Sequence, residues 1–485
     1  MENIENMENT ESIEEMEEGE NIGGTESIKG IEGEEVNEAL HKVAKGTGII
    51  FLGTIFSLLF AFFSRVAIAR AYSISEYGVF SLALTVLSIA LVIATLGFFE
   101  GMPREIAFYR EREPSRVREI LSTSIAITAA SSLVFLALMF FSSDAIARFF
   151  RQEELSLSIK ILAFALPFTG IARTMIAAYR GFGSAKEMAY FQNIMPNLLF
   201  LVFIIPLAVL SLPFVSVFYA YLAAQMLTFS ALIIHNFRSG FEVGFETRTG
   251  INLQVGKNLL FFSLHLLFTN ILALIMTWTD TLMLGYYKSA ESVGLYNAAL
   301  PLARLIPLFL GSAGFMYVPV ASQLFAQGKL REMGRTYQIL TKWIFLLTLP
   351  IFGIMFLFPE ATINFLFGNR YLAASQALRI LALGFIFHTF LGLNGLSLIV
   401  IKETRFIMLS NLFGAVSNVL LNALLIPFYG VLGAAVASVV SYTLINTMYS
   451  LRLYQKTEIH PFSWNYIKPL TISFILLMTI QIYIS

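Results

Sequence analysis

Long apolar stretches follow one another almost without pause from residue 47 to the end of the chain. A helix that crosses a membrane needs about 20 mostly apolar residues, and each stretch is near that length or longer. The pattern therefore predicts about thirteen membrane-spanning helices joined by short polar segments. The predicted spans are 47–70, 77–99, 118–142, 155–180, 188–211, 213–236, 257–285, 292–325, 335–358, 372–400, 404–427, 430–452 and 465–485.

Composition and charge agree with a membrane protein and indicate its orientation. Hydrophobic residues make up 57% of the chain and charged residues 13%, whereas soluble proteins carry roughly 25% charged residues. Lysine and arginine concentrate in cytoplasmic loops. If the N-terminus is cytoplasmic, the inner segments hold 22 of these residues and the outer segments hold 5. We therefore expect a multi-pass protein of the cell (cytoplasmic) membrane with a cytoplasmic N-terminus.

Residues 1–45 stand apart from the apolar pattern. They contain no aromatic residue, and residues 1–38 hold fourteen Glu and one Lys. Such a segment buries too little apolar surface to offset the entropy lost on ordering, and it lacks the basic start and apolar run of a signal peptide. We expect an acidic, disordered cytoplasmic tail. The remaining chain holds 31 basic and 18 acidic residues, so the body is basic.

Two parts of the body resemble each other. Residues 78–80 (Gly-Val-Phe) recur as 294–296 (Gly-Leu-Tyr), and Asn197 with Pro206 is matched by Asn418 with Pro427. An even number of spans in each unit gives parallel repeats, related by an axis along the membrane normal. The expected fold is an all-α polytopic membrane protein with two pseudo-symmetric six-helix bundles around a central cavity. The expected units are a tail (1–45), an N-terminal lobe (46–240), a C-terminal lobe (241–456) and an additional C-terminal helix (457–485). The alternative is a single irregular bundle.

The sequence offers no arrangement of catalytic residues. It contains neither a phosphate-binding loop of the form G-x-x-x-x-G-K-[ST] nor an H-E-x-x-H zinc motif,. It has no cysteine, which excludes disulfides and thiolate metal sites. Acidic residues are nearly absent from the spans. We therefore expect no metal and no cofactor, and the movement of a substrate rather than an enzymatic reaction.

The remaining candidates for function are charged side chains within the predicted spans. Burying a charge in the membrane costs free energy, so such residues by default indicate function. Arg65, Arg173, Arg304 and Arg379 fall within predicted spans, against one clear acid, Asp280. A planar guanidinium forms bidentate bonds to phosphate, so several arginines favour an anion, with phosphate or pyrophosphate fitting best. We predict substrate binding by Arg65, Arg173, Arg304 and Asp280. The alternative for each arginine is snorkelling to a surface or capping a helix end.

Asp280 and His388 are the candidates for ion coupling. A histidine in a span could carry protons, although its more common role there is packing or hydrogen bonding. Under the internal repeat, Arg65 and Asp280 occupy equivalent positions. We hypothesise that they approach each other as a gate on the outer side of the cavity. The alternative is that each snorkels or pairs with another neighbour.

Residues 418–437 (NVLLNALLIPFYGVLGAAVA) resemble the signature N-x-x-L-N-x-x-L-I-P-x-Y-G-x-x-G-A-A-x-A of polysaccharide-type flippases, which belong to the multidrug/oligosaccharidyl-lipid/polysaccharide exporter superfamily. Shorter stretches at 69–80, 103–107 and 280–299 agree with the same family in the same order. In the signature, Asn418 and Asn422 lie one turn apart and Pro427 ends the helix before a very short turn. We expect a packed hairpin with a structural role.

The resemblance implies two six-helix lobes in a V shape and alternating access to a lipid-linked sugar. It implies a flippase that moves a polyprenyl- or dolichyl-(pyro)phosphate-linked oligosaccharide across the cytoplasmic membrane, for polysaccharide or glycoprotein glycan assembly. The expected partners are that substrate, membrane lipids and glycosyltransferases or a polymerase of the same pathway, and no nucleic acid. The family has twelve or fourteen spans, so the predicted thirteen leaves the role of residues 460–485 open.

Two other functions remain as alternatives. A proton- or sodium-coupled multidrug antiporter of the same superfamily has the same fold but needs an acid in the first lobe, where this chain has Arg65. A membrane polysaccharide polymerase or ligase should have a large outer loop with catalytic acids or histidines, and the outer loops here are short.

Overall fold

The computed structural model describes residues 48–239 and 252–462, with Lys468, Thr471 and Thr479 beyond them. The predicted acidic tail (1–45), the lobe boundary at 240/241 and nearly all of the last predicted span lie outside the described residues. Within the described part, every regular element is helical, as expected for the predicted all-α class. The helices are α1 (Gly48–Ala71), α2 (Ile74–Ala94), α3 (Phe98–Tyr109), α4 (Pro114–Phe150), α5 (Glu154–Ala163), α6 (Ala165–Phe182), α7 (Ala185–Glu187), a π-helical turn (Met188–Ile194), α8 (Met195–Val209), α9 (Ser216–Arg238), α10 (Leu253–Tyr287), α11 (Ala290–Ala303), α12 (Leu308–Ala326), α13 (Leu330–Leu357), α14 (Pro359–Phe367), a 3₁₀ turn (Asn369–Ala374), α15 (Ser375–Leu391), α16 (Asn394–Val400) and α17 (Thr404–Thr457).

The predicted spans from 47–70 to 430–452 all have helical counterparts in the described residues. Among the described residues, eight helical segments are long and apolar enough to cross a membrane, and two bent pairs raise the number to ten. Three of the eight segments join neighbouring helices: Ile74–Tyr109, Ala185–Val209 and Asn369–Val400. Large apolar side chains lie on the outer faces, and Phe141 and Phe428 are each 81% exposed. Such surfaces need an apolar solvent, and the protein is a multi-pass membrane protein.

Helix starts and breaks follow local chemistry. Ser73 caps α2, because its hydroxyl accepts a hydrogen bond from the Glu76 N–H (3.2 Å) while its own N–H donates to the Glu76 carboxylate (2.8 Å),. The bend of 50° between α11 and α12 lies beside Pro307, a residue that cannot donate the backbone hydrogen bond of a continuous helix.

The signature region forms the expected packed hairpin inside α17. Gly430 has φ 54° and ψ −124°, which reverses the chain after Pro427. Gly433 then lies so close to the first arm that an added Cβ would be 2.5 Å from the Leu425 carbonyl oxygen. The two arms of α17 are therefore two spans, one from Thr404 to the turn and one from the turn to Thr457.

Helices α1–α9 pack chiefly on one another, as do α10–α17, and we call these the N-terminal and C-terminal halves. The halves meet where α2 crosses α11. An added Cβ at Gly78 would lie 1.7 Å from the Ala290 carbonyl oxygen, and one at Gly294 would lie 2.2 Å from the Ile74 carbonyl oxygen. Each glycine therefore contacts the backbone of the opposite half. These are the matched glycines of the internal repeat, so its two copies lie against each other.

Arginines join the halves near this crossing. Arg70 of α1 donates from Nε to the Leu366 carbonyl (2.8 Å) and from Nη2 to the Phe365 carbonyl, both in the last turn of α14. Arg370 donates from Nη2 to the Arg70 carbonyl (2.7 Å). We call these three bonds the arginine latch. In the predicted orientation, the latch lies at the outer ends of the helices.

The halves also meet near the start of α10. The Asn252 N–H donates to Thr123 Oγ1 (3.2 Å) and its side-chain amide donates to Glu119 (3.1 Å). Gly101 lies against Ser263, since an added Cβ would be 2.2 Å from the serine Oγ. Helix α10 therefore contacts the N-terminal half near its start and carries Asp280 near its end.

Candidate functional site

Asp280 lies near the end of α10 and is 2% exposed. Its Oδ1 accepts hydrogen bonds from the amides of Asn422 (2.7 Å) and Asn418 (3.3 Å). Its Oδ2 accepts from the hydroxyls of Tyr296 and Ser438. We call these five residues the Asp280 cluster. A buried carboxylate is costly unless its oxygens are satisfied, and here four donors satisfy them.

The fold brings these side chains together from three directions. Tyr296 comes from α11, and the turn at Gly430 places Ser438 of the second arm of α17 opposite Asn418 and Asn422 of the first arm. The asparagines are one turn apart and share a face, with the Asn422 amide also 3.2 Å from Asn418 Oδ1. The hairpin, to which the sequence assigns a structural role, therefore also supplies hydrogen-bond donors to Asp280.

The Asp280 cluster contains an unused acceptor. Asn422 Oδ1 is buried and has no hydrogen-bond partner among the described residues, an arrangement that is uncommon in folded proteins. A carboxylate takes up a proton or a small hard cation, and the Asn422 oxygen is a further acceptor in the same cluster. Within the described residues, no three His, Cys, Asp or Glu side chains group as metal ligands, so the cluster offers a single negative charge.

Arg304 lies beside the Asp280 cluster. It follows the last residue of α11 at the bend before α12, and its side chain is exposed. Its guanidinium lies near the phenols of Tyr442 and Tyr296. Tyr442 also interacts electrostatically with Asp280. Arg304 and Asp280, both predicted site residues, are therefore neighbours that share two tyrosines.

Arg65 is half-buried on α1 and lies near the hydroxyl of Tyr77. That hydroxyl donates to the Asn297 carbonyl (3.1 Å), and the Asn297 amide donates to Thr281 Oγ1 (3.2 Å). Arg65 is thus connected to the neighbours of Asp280 through intermediate groups. The hypothesised direct Arg65–Asp280 pair is not formed among the described residues, because donors of the C-terminal half already occupy both Asp280 oxygens.

The remaining predicted arginines have different surroundings. Arg173 is half-buried on α6 and interacts electrostatically with Tyr221 of α9, within the N-terminal half. The structure does not bring it into the Asp280 cluster. Arg379 donates from Nε to the Phe356 carbonyl (3.0 Å) and lies 3.7 Å from Glu360. It therefore caps the end of α13, which is the alternative that the sequence leaves open for each arginine.

His388 belongs to a polar network of α15, α16 and α17. Its Nδ1 lies 2.6 Å from Asn446 Oδ1, and the Asn446 amide donates to the Tyr442 carbonyl (2.8 Å). The Asn394 amide donates to the Asn446 carbonyl (3.0 Å) and to Ser450 (3.0 Å). These contacts favour a hydrogen-bonding role for His388.

Sequence reasoning missed Tyr296, Ser438 and Tyr442, the hydroxyl groups of the site. Tyr296 stands in the repeated Gly-hydrophobic-aromatic step and Ser438 directly follows the signature region. These positions are the only signal that the sequence offers for them. No spacing rule connects them to Asp280, because they come from different helices.

The chain matches two protein-family models and several proteins of other organisms. The family model described as polysaccharide biosynthesis protein matches residues 43–325, and the MatE model matches residues 266–424. An uncharacterized membrane protein of Methanocaldococcus jannaschii is 30% identical over 189 residues, which is 38% of this chain and 37% of that protein. A Shigella flexneri protein described as "Putative O-antigen transporter" is 23% identical, over 76% of this chain and 88% of that protein. Agl15 of Haloferax volcanii, a probable low-salt glycan biosynthesis flippase, is 26% identical over 36% of each chain.

Among solved structures, the chain is similar to the lipid II flippase MurJ in an inward closed conformation. The TM-score is 0.68 at 17% sequence identity, with 90% of this chain and 92% of that chain covered. The likeness establishes the fold, that of a helical membrane transporter. The Shigella and Haloferax relatives are described as a transporter and a flippase, in agreement with the prediction of a transporter rather than an enzyme.

Proposed function

The chain belongs to the family of polysaccharide biosynthesis proteins, and we propose that it is a flippase for a polyprenyl- or dolichyl-(pyro)phosphate-linked oligosaccharide. It would move this substrate from the cytoplasmic to the outer leaflet of the cell membrane, with the N-terminus in the cytoplasm. Glycosyltransferases or a polymerase of the same pathway would be its functional partners. The described functions of the Shigella and Haloferax relatives support this substrate class.

The observation that carries the proposal is the exposed Arg304 guanidinium at the bend between α11 and α12. Within the described residues it has no carboxylate partner, and its neighbours are the phenols of Tyr296 and Tyr442. A guanidinium without an anion retains its capacity for charge-assisted bonds to phosphate. Arg65 and Arg173 would contribute further positive charge to the path, and the lipid tail would stay in the bilayer.

Alternating access would come from rocking of the two lobes, proposed as residues 46–240 and 241–456. The glycine crossing and the arginine latch support this mechanism. The crossing at Gly78 and Gly294 is a close backbone contact between the halves, and the latch is a small set of exposed hydrogen bonds. Rocking would separate these contacts together with the buried side chains around them, since Tyr77 of one half packs against Tyr371 of the other,.

The Asp280 cluster would couple translocation to an ion gradient. Its carboxylate, together with the unpartnered Asn422 Oδ1, could take a proton or a monovalent cation. Binding there would change the charge beside Tyr296 and Tyr442, the two tyrosines that also lie near Arg304. Ion occupancy and substrate affinity at Arg304 would then be linked.

The test is leaflet translocation in liposomes that contain the purified full-length protein. A fluorescent polyprenyl-pyrophosphate sugar in the inner leaflet becomes accessible to a membrane-impermeant quencher once it is moved outward. Wild type should translocate the lipid, and Arg304→Gln should lower the rate by at least about tenfold, because a bond between two charged groups contributes roughly 1.5–3 kcal/mol. Arg379→Gln is the matched control, since Arg379 caps a helix end, and it should translocate normally.

Equal rates in Arg304→Gln and wild type would move the substrate site elsewhere. A second function, cation-coupled drug export, is favoured by the MatE match over residues 266–424. Absence of lipid translocation, together with proton- or sodium-driven efflux of a cationic dye from the same liposomes, would replace the flippase proposal with this one.

A further inference from the structure

A polar cleft opens on the C-terminal half, away from the Asp280 cluster, where α13 begins and α17 ends. Its volume is about 1030 Å³. Arg331 and Arg335 line it from the first turns of α13, and Lys456 and Glu458 line it from the end of α17. In the predicted orientation, both helix ends lie at the cytoplasmic surface of the membrane.

Two arginines of this cleft are available to a ligand. Arg331 and Arg335 are exposed and lie one turn apart, so they share a helix face,. Among the described residues, neither forms an ion pair. Glu332 and Glu458 also line the cleft and likewise form no ion pair there. The cleft therefore presents unpaired charges of both signs.

Lys456 differs from these two arginines. It pairs with Glu403 (3.3 Å), and Arg452 also pairs with Glu403 (2.9 Å). The hydrogen bond from Arg452, followed by that from Lys456, holds the pKa of the Glu403 carboxyl below its ordinary value. Glu403 therefore stays ionised at neutral pH and retains Lys456. The cations left for a ligand are Arg331 and Arg335.

An apolar groove of about 510 Å³ adjoins the cleft. Phe390 and Phe462 form part of its wall with ring centroids 5.5 Å apart. Leu451 and Tyr454 also line it and are 57% and 52% exposed. Tyrosine is enriched where a membrane meets water, so Tyr454 is suited to the boundary between a lipid headgroup and its chains.

The cleft and the groove share one wall. Ile459 lines both of them. Ile459 packs closely against Gly334 of α13, since a Cβ added to this glycine would lie 3.3 Å from Ile459 Cγ1. The neighbouring Gln338 amide donates to the His460 carbonyl (3.0 Å). A polar site and an apolar site are thus fixed side by side at one helix end.

We propose that this pair of sites binds one phospholipid of the cytoplasmic leaflet, with a zwitterionic, amine-bearing headgroup in the cleft and a chain in the groove. Arg331 and Arg335 hold the phosphate, because guanidinium groups form charge-assisted bonds to it. The carboxylates of Glu332 and Glu458 complement the positive charge of the ammonium group. The apolar groove takes the chain, whose burial provides the hydrophobic contribution. The site is separate from Arg304 and does not depend on the proposed substrate.

The test is native mass spectrometry of the full-length protein titrated with phosphatidylethanolamine. The reference lipid is a galactosyl diacylglycerol with the same chains, which lacks phosphate and charge. Wild type should prefer phosphatidylethanolamine. Arg331→Gln with Arg335→Gln should weaken its binding by at least roughly tenfold and remove the preference. Lys402→Gln with Arg405→Gln removes the same charge from exposed positions outside the cleft and should change nothing.

The groove has its own variant and control. Leu451→Trp fills the groove and should weaken both lipids. Leu420 lies on the first arm of α17, is 58% exposed and is outside the groove, so Leu420→Trp should have no effect. Arg331→Lys with Arg335→Lys keeps both charges and should retain most of the binding, which separates loss of charge from loss of folding.

Three results would overturn the proposal. One is equal binding of the two lipids by wild type. Another is tighter binding of phosphatidylglycerol than of phosphatidylethanolamine, because Glu332 and Glu458 would then contribute nothing to headgroup recognition. The third is displacement of phosphatidylethanolamine by a polyprenyl-pyrophosphate sugar, because the site would then belong to the translocated lipid.

Discussion

Gly78→Ala should open the contact between the two halves. An added Cβ would lie 1.7 Å from the Ala290 carbonyl oxygen and 2.6 Å from its carbon, whereas real Cβ contacts are essentially never under 3.0 Å. Both atoms belong to backbone, so no side-chain rotation relieves the overlap. Helices α2 and α11 must therefore separate by more than about 1 Å in a close-packed region.

The size of the effect follows from the cost of overpacking. Inserting a methyl group into a well-packed contact costs roughly 1–3 kcal/mol, and this cost falls only on states in which α2 and α11 touch. A bias of 1–3 kcal/mol changes a conformational equilibrium by about 5- to 150-fold. Gly294→Ala meets the Ile74 carbonyl oxygen at 2.2 Å and should shift the equilibrium in the same direction.

The chain contains no cysteine, so labels can be introduced without background. Spin labels at Glu153→Cys and Asn364→Cys lie at exposed positions near the predicted outer ends of the two halves. In lipid nanodiscs, the distance distribution should gain a longer component in Gly78→Ala. Gly311→Ala is the control, because nothing lies within 4 Å of its added Cβ. An unchanged distribution in folded Gly78→Ala would refute the idea that this crossing closes the outer side.

Three further changes test the latch and the candidate ion site. Arg70→Gln removes the charged donor that α1 extends to the carbonyls at the end of α14. Because hydrogen bonds to a charged group contribute roughly 1.5–3 kcal/mol, the longer distance component should increase in the same spin-label measurement. An unchanged distribution would show that the latch is dispensable. Asp280→Asn removes the single negative charge of the Asp280 cluster, and it should abolish the dependence of lipid translocation on an imposed proton or sodium gradient; retained dependence would exclude Asp280 as the coupling residue. His388→Gln keeps a hydrogen-bonding side chain opposite Asn446, and it should leave the translocation rate within about twofold of wild type; a loss of ion dependence would instead favour proton transfer by His388.

The sequence predicted the parts of the fold that depend on local pattern. Apolar length located the helices, and the proline and glycine of the signature predicted the hairpin that Gly430 makes. The same rules could not find the environment of Asp280. Its partners Tyr296 and Ser438 are 16 and 158 residues away along the chain, and helical periodicity gives a face without saying which helix covers it.

The internal repeat shows where such reasoning stops. It matched Gly78 with Gly294, and these glycines do form equivalent contacts, each against the backbone of the other half. It also matched Arg65 with Asp280, and those side chains do not meet. In a twofold arrangement of helices, equivalent backbone positions approach the other half equally closely. The packing at this crossing leaves no room for a Cβ, so both equivalent positions must be glycine. It places no such demand on side-chain charge. The N-terminal half can therefore carry the half-buried Arg65 while the C-terminal half buries a carboxylate. In the proposed function, this asymmetry would let an anion and a cation bind at different points.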